Sequence, residues 1–334
     1  MNIKINKFIK DNIDSRILNY IQLQFPLVSE PFKAIGELMG IGEEETIRRI
    51  QNLKQHNIIR FISPVLDAQK LGYQTTLVAM VIPSRYLKVA ERVIAGHPSI
   101  SHAYWREHQY NLWITYAVPQ NVSIDKEIDA FSQAVRSTDT LSLPSIRMFK
   151  RMAYFNMGIP GYDLSSHKPN TYLYSKGRAH LTSFERAILN LLQQDLPLMP
   201  LPYKGIADAA GMELEDFLSS CRSLMHRKII LRYGAAVNHR NIGYHANAMV
   251  CWKVPTEKLD NIAREIVKMD QVSHCYERNT GHNWPYNLYT MFHCQTRAIC
   301  HDLVNRISVN AGLKDYLIIF STREIKKVRI IYRV

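Results

Sequence analysis

The chain repeats itself. Phe25-Pro26-Leu27 is answered by Leu196-Pro197-Leu198, and Leu71-Gly72-Tyr73 by Ile242-Gly243-Tyr244, both 171 positions later. Ser101-His102 returns as Ser273-His274 at 172. Tyr110-Asn111-Leu112 returns as Tyr286-Asn287-Leu288 at 176, as Arg147 does in Arg323. An offset that grows at two places only, by one residue and then by four, marks small surface insertions in a duplicated unit. The four extra residues fall within TGHNWP, between Arg278 and Tyr286, so that stretch reads as a hairpin loop. Whatever forms here is built twice, and 334 residues are ample for two multi-domain copies.

Each copy opens with helical periodicity. In DSRILNYIQLQ, Ile17, Leu18 and Ile21 share a face behind Asp14 and Ser15, either of which suits a helix N-cap. PFKAIGELMG sets Pro31 in a first turn and Gly40 at a stop, and EEETIRRIQNLKQHN lines Ile47, Ile50 and Leu53 on one stripe before the short strand IIRFI. Three helices and a short wing predict a winged helix-turn-helix at 14–62, after an N-terminal arm at 1–13, and again at 182–233. The period then changes. YQTTLVAMVIP, ISHAYWRE, YNLWITYAV and PSIRMFKRM read as strands interleaved with two helices, the βαββαβ order of a ferredoxin-like domain at 63–155 and 234–334. Residues 156–181, rich in Gly, Pro, Ser and Asn, read as the linker. The predicted fold is α+β: two tandem copies of winged helix-turn-helix plus ferredoxin-like domain, the halves pairing as an internal pseudo-dimer. A homodimer of the whole chain is compatible with this plan.

The net charge of +13 comes from no single basic run, and it suits a polyanion, whether nucleic acid or small molecule. This architecture resembles that of the Lrp/AsnC proteins, whose recognition helix would enter the major groove by its first turn. Here that turn carries Glu43, Glu44 and Glu45, and in the second copy Glu213, Glu215 and Asp216. Carboxylates suit a helix N-terminus, yet aimed at phosphates they oppose the counterion release that drives affinity, so DNA is not the expected partner. The five cysteines all lie in the second half with no Cys-x-x-Cys spacing, which predicts reduced thiols and a cytoplasmic protein. The start has no apolar leader, and nothing approaches roughly 18 uninterrupted apolar residues, so neither export nor a membrane span is expected.

The chemistry sits in two hairpins, SHAYWREHQYNLW and SHCYERNTGHNWPYNLY. Strand alternation puts His102, Tyr104 and Arg106 on one face, and His274, Tyr276 and Arg278 on its counterpart. His108 and His282 follow in the hairpin loops. Tyr110, Trp113, Trp284, Tyr286 and Tyr289 supply flat walls. Imidazoles can transfer protons or bind metal, and guanidinium forks hold carboxylates, so the set describes a pocket for a large flat polyanion. A ladder of hydrogen bonds on a solvated sheet face is the plainer explanation, and its repetition in both copies weighs against it. NHRNIGYH places His239, Arg240 and His245 in a turn before a strand. His56 and His226 suit the C-terminal ends of their helices, and the basic FKR (149–151) and REIKK (323–327) on the last strands could hold ligand carboxylates or merely solvate a strand edge. No Gly-rich phosphate loop or His-Glu-x-x-His occurs.

Both hairpin motifs, and GAAVNHRNIGYHANAMVCWKVP at 234–255, resemble those of the siroheme decarboxylases, Lrp-like enzymes of alternative haem and haem d1 synthesis, in their fused NirD–NirL-like form. The resemblance implies that siroheme, with its eight carboxylates, loses two CO2 as the C12 and C18 acetates become methyls. It implies no cofactor, since the iron belongs to the substrate. The loop histidines His108 and His282 then become the first choice as proton donors, since a loop can reach over a macrocycle lying on the sheet. His102 and His274 would orient the substrate or ligate its iron, Arg106 and Arg278 would clamp carboxylates, and the unequal loops imply one productive site. A ligand-sensing Lrp/AsnC-type transcription regulator is the alternative, and a haem carrier without chemistry is a third.

Overall fold

The computed structural model describes residues 8–158, 177–281 and 284–334, so the first seven residues of the expected N-terminal arm, His282 and most of the expected linker lie outside the described residues. The first copy runs α1 (Asn12–Leu23), α2 (Pro31–Met39), α3 (Glu43–Gln55), β1 (Ile59–Leu66), β2 (Tyr73–Val81), α4 (Leu87–Gly96), β3 (Ile100–Arg106), β4 (Leu112–Pro119), α5 (Ile124–Ala134) and β5 (Asp139–Arg151). The second repeats the order as α6 (Ser183–Leu192), α7 (Lys204–Ala209), α8 (Leu214–His226), β6 (Ile230–Val237), β7 (Ala246–Trp252), α9 (Thr256–Ile266), β8 (Val272–Arg278), β9 (Leu288–Cys294), α10 (Arg297–Ala311) and β10 (Tyr316–Lys327).

The cap of α1 is neither Asp14 nor Ser15. Asp11 takes that role, accepting from the Asp14 N–H, because Asp14 is turned inward to meet Arg49 at 2.7 Å. Arg49 also engages Asp11 and Glu45, so one acid of the α3 first turn is tied down within the domain. The wing is likewise not built within one copy. β1 pairs antiparallel with β6, each copy supplying the strand that satisfies the other's backbone. The helices of both copies close over this ribbon in one core, where Ile17, Leu18, Phe32 and Ile50 join Leu189, Tyr203, Phe217 and Leu224.

The ferredoxin-like halves do not present an open sheet face. Their strands close into one barrel in the order β10-β3-β4-β2-β5-β8-β9-β7. The last strand of each copy makes the closure. The first part of β5 pairs with β2 and its second part crosses to β8; β10 pairs with β7 and then crosses to β3. Closure removes the exposed edges that two separate sheets would leave. Helices α4 and α5 cover one side of the barrel and α9 and α10 the other. The expected sheet face is therefore the barrel's inner wall.

Candidate active site

Alternation decides what points inward. On β3, Ala103 and Trp105 pack outward beneath the helices, and on β8 Cys275 does the same. His102, Tyr104 and Arg106 thus face the interior, as do His274, Tyr276 and Arg278. The His102–Tyr104 rings lie 6.4 Å apart and His274–Tyr276 6.2 Å, the step of alternate residues on a strand. Three strands separate β3 from β8 either way around the barrel, and every neighbour is antiparallel, so the two run in the same direction on opposite walls. The result is three matched layers: histidine, tyrosine, arginine.

In the histidine layer, the Ser101 hydroxyl meets Nδ1 of His102 and the Ser273 hydroxyl meets Nδ1 of His274, each at 2.8 Å. Both imidazoles are left with Nε2 free of hydrogen bonds among the described residues. The serine of the repeated Ser-His pair therefore fixes ring orientation. Cations surround the layer with the same twofold logic: Lys327 stands opposite His102 across one seam, and Arg151 opposite His274 across the other. Arg60 from β1 acts on His102, and Arg240 from the helical turn after β6 acts on the neighbouring Tyr104, Lys327 and His239. Burial first, then Lys327, Arg151 and Arg60, push His102 down to about 3, and burial, then His293, Arg151, His102 and Lys327, hold His274 well below the usual histidine range, so both are neutral. Burial also lowers Lys327 to about 8. The inner wall is not packed solid, since His102, His274, Tyr276, Met291, Leu77 and Leu317 all keep partial accessibility.

Deeper in the barrel, Arg106 is 6% exposed and donates to the Ile319 carbonyl at 3.0 Å. It has no carboxylate partner among the described residues, its Nε is unpaired, and burial pushes it down to about 10. Arg278 donates to the Leu143 carbonyl at 2.7 Å and lies over the rings of Tyr276 and Tyr289.

The hairpin end is a different place. His108 lies past the far end of β3, about 13 Å from His102 by strand rise to Arg106 alone. Its Nδ1 accepts from the Tyr110 N–H at 3.1 Å and its ring packs against Trp284 at 5.7 Å. Tyr110, Trp113 and Tyr286 also surround Trp284, closing that end with an aromatic plug. The structure brings His102 and His274 together with the paired tyrosines and arginines, and does not bring His108 to them.

Sequence reading missed His293, took His239 as part of a turn before a strand, and did not say which members of the basic runs face inward. Lys150 donates to the Val267 and Met269 carbonyls, and Lys326 to Ile94, Ala95 and His97, so each lysine caps a helix C-terminus outside the barrel. Arg151 and Lys327, one residue on, must then point inward, which alternation could have told. His293 shares the inner face of β9 with Tyr289 and Met291. His239, buried in the turn at His239–Ile242, follows no period.

Comparison with known proteins agrees with this architecture. Residues 70–150 and 241–326 match the AsnC-like ligand-binding domain, and 14–60 and 185–230 the siroheme decarboxylase NirDL-like helix-turn-helix domain. The siroheme decarboxylase of Hydrogenobacter thermophilus is 34% identical over 318 residues, covering 95% of this chain and 94% of that protein. The siroheme decarboxylase beta subunit of Methanosarcina barkeri is 38% identical over 140 residues, 42% of this chain and 92% of the subunit. The crystal structure of the siroheme decarboxylase NirDL in co-complex with an iron-uroporphyrin III analogue superposes with a TM-score of 0.72 at 31% identity, covering 97% of this chain and 95% of that one. The chain belongs to the siroheme decarboxylase family of carbon–carbon lyases, in the form that joins both halves in one polypeptide.

Proposed function

We propose that this protein decarboxylates siroheme, turning the C12 and C18 acetates into methyls with release of two CO2, and that the chemistry occurs in the histidine layer. One observation carries the reading: two serine-tethered imidazoles with unbonded Nε2 atoms stand on the barrel's inner wall with Lys327 and Arg151 opposite them and Arg60, itself paired with Glu324, acting on His102. A polycarboxylate is drawn to such cations, and its fixed orientation brings an acetate beside an imidazole. Arg106, a buried cation with no carboxylate partner among the described residues, is suited to a carboxylate that reaches deeper. As CO2 leaves, its bonding electrons remain on the methylene carbon and pass into the macrocycle. One proton must reach that carbon to make the methyl, and the neutral imidazole N–H supplies it.

His274 is the better donor of the pair, because its serine is connected further into the protein. Its partner His102 orients the macrocycle from the opposite wall. The iron arrives with the substrate, and no step above calls on a further cofactor. Anaerobic incubation with siroheme, followed by mass spectrometry, tests the reading: two successive losses of the mass of CO2 are expected. Tight binding without mass loss would point to a carrier. A salt-sensitive gel shift at a defined operator, with no turnover, would point to a regulator.

A further inference from the structure

The halves differ behind the histidines. In the second, the Ser273 hydroxyl that touches Nδ1 of His274 also meets Nε2 of His293 at 2.8 Å. The ring of His239 follows, its centroid 4.9 Å from that of His293. Nδ1 of His293 and Nε2 of His239 are both buried and unpaired among the described residues. Exposed His245, on the same segment, is near enough to act electrostatically on His239. The first half has no such series. Ala117 takes the place of His293: its N–H donates to Ser99 as that of His293 does to Gln271. Ala68 takes the place of His239, because Asp67 N–H bonds Ile229 as Asn238 N–H bonds Ile58.

We infer that His239, His293 and Ser273 form a proton path, present in the second half only, that resupplies His274 from the protein surface. The inference rests on His274 being the donor, and it adds residues that act through it without touching substrate. The transfers balance. Nε2–H of His274 protonates the carbon left by CO2, while the Ser273 hydroxyl proton moves to Nδ1. The Nε2–H of His293 replaces the hydroxyl proton, and Nδ1 of His293 takes a proton passed through His239 from solvent. Each imidazole ends neutral with its tautomer exchanged, and a flip of each ring returns N–H to Nε2 before the second proton is delivered. This suits a site where burial and cations oppose a lasting imidazolium. Every siroheme consumes two protons, so an interior donor without resupply would stall.

The test uses the full chain under anaerobic multiple turnover with siroheme. His293→Gln can still hydrogen-bond Ser273 but cannot pass a proton by exchanging tautomers. It should lower kcat by about 10–100-fold with KM held within about twofold, and raise the solvent deuterium isotope effect on kcat. His239→Gln, a second variant in case the first folds poorly, should act in the same direction. If His293→Gln turns over at the wild-type rate, or restores activity that His293→Ala loses, the role is structural and the path is refuted. Should His274→Ala itself turn over normally, the donor assignment fails, and the path with it. A slow His274→Ala beside a normal His293→Gln removes the path alone.

Discussion

Arg106 should be worth more to the substrate than to the fold. Its guanidinium is buried, with the Ile319 carbonyl as its strong partner and no carboxylate among the described residues. Burial lowers it from the ordinary 12.5 to about 10, which corresponds to about 3 kcal/mol against its charged form. Arg106→Met removes that penalty and keeps most of the volume. It forfeits the bond to Ile319, worth about 1.5 kcal/mol for a charged donor. The net expectation is a stability gain of about 1–2 kcal/mol, a rise of a few degrees in Tm for the ligand-free protein. The same change should weaken siroheme binding by about 1.5–3 kcal/mol, roughly 10–150-fold, as a charge-assisted carboxylate contact is lost. Thermal melts with and without siroheme read both effects, and the ligand-induced increment should shrink as the bare Tm rises. A variant that melts several degrees lower alone, yet binds siroheme as wild type does, would show that Arg106 is structural.

The four histidines of this region, two buried and two partly accessible, should make the fold acid-sensitive. His102 and His239 sit at about 3, and His274 and His293 well below their ordinary value, so below about pH 6.5 the unfolded chain binds more protons. Stability, fully present above that pH, should fall by up to about 1.4 kcal/mol per pH unit for each histidine on the way towards pH 3. Urea midpoints that do not move between about pH 7.5 and 5.5 would contradict this. His108→Ala should change kcat by less than about threefold, because His108 packs against the plug and not the histidine layer; a loss near 100-fold would relocate the chemistry. Gel shifts with duplex DNA should show only weak, salt-labile retardation, given the acidic first turns of α3 and α8.

The order of elements was legible because it is local: period 3.6 gave way to period 2 twice, at matching places. Faces were legible too, since alternation alone set His102, Tyr104 and Arg106 together. What they face was not. Arg151 meets His274, and Lys327 meets His102, only because β5 and β10 change partners midway and cross between copies. No local pattern encodes that. The preference for His108 came from the reach of a loop, and nothing in HQYNLW announces that Trp284, from the other copy, will pack on it. Asp14 looked like a cap because caps are short and acidic, and Arg49, thirty-five residues on, claimed it instead. The relay residues His239 and His293 are visible only as departures from the repeat, at positions where the first copy has alanine.

The most direct measurement is the anaerobic single-turnover rate of His274→Ala beside His102→Ala, each with siroheme bound. The donor assignment predicts that His274→Ala slows methyl formation by about 10²–10⁴-fold with binding largely intact, and that His102→Ala is distinctly less damaging to the chemical step. If both variants release CO2 at the wild-type rate, the serine-tethered histidines are structural and the chemistry lies elsewhere.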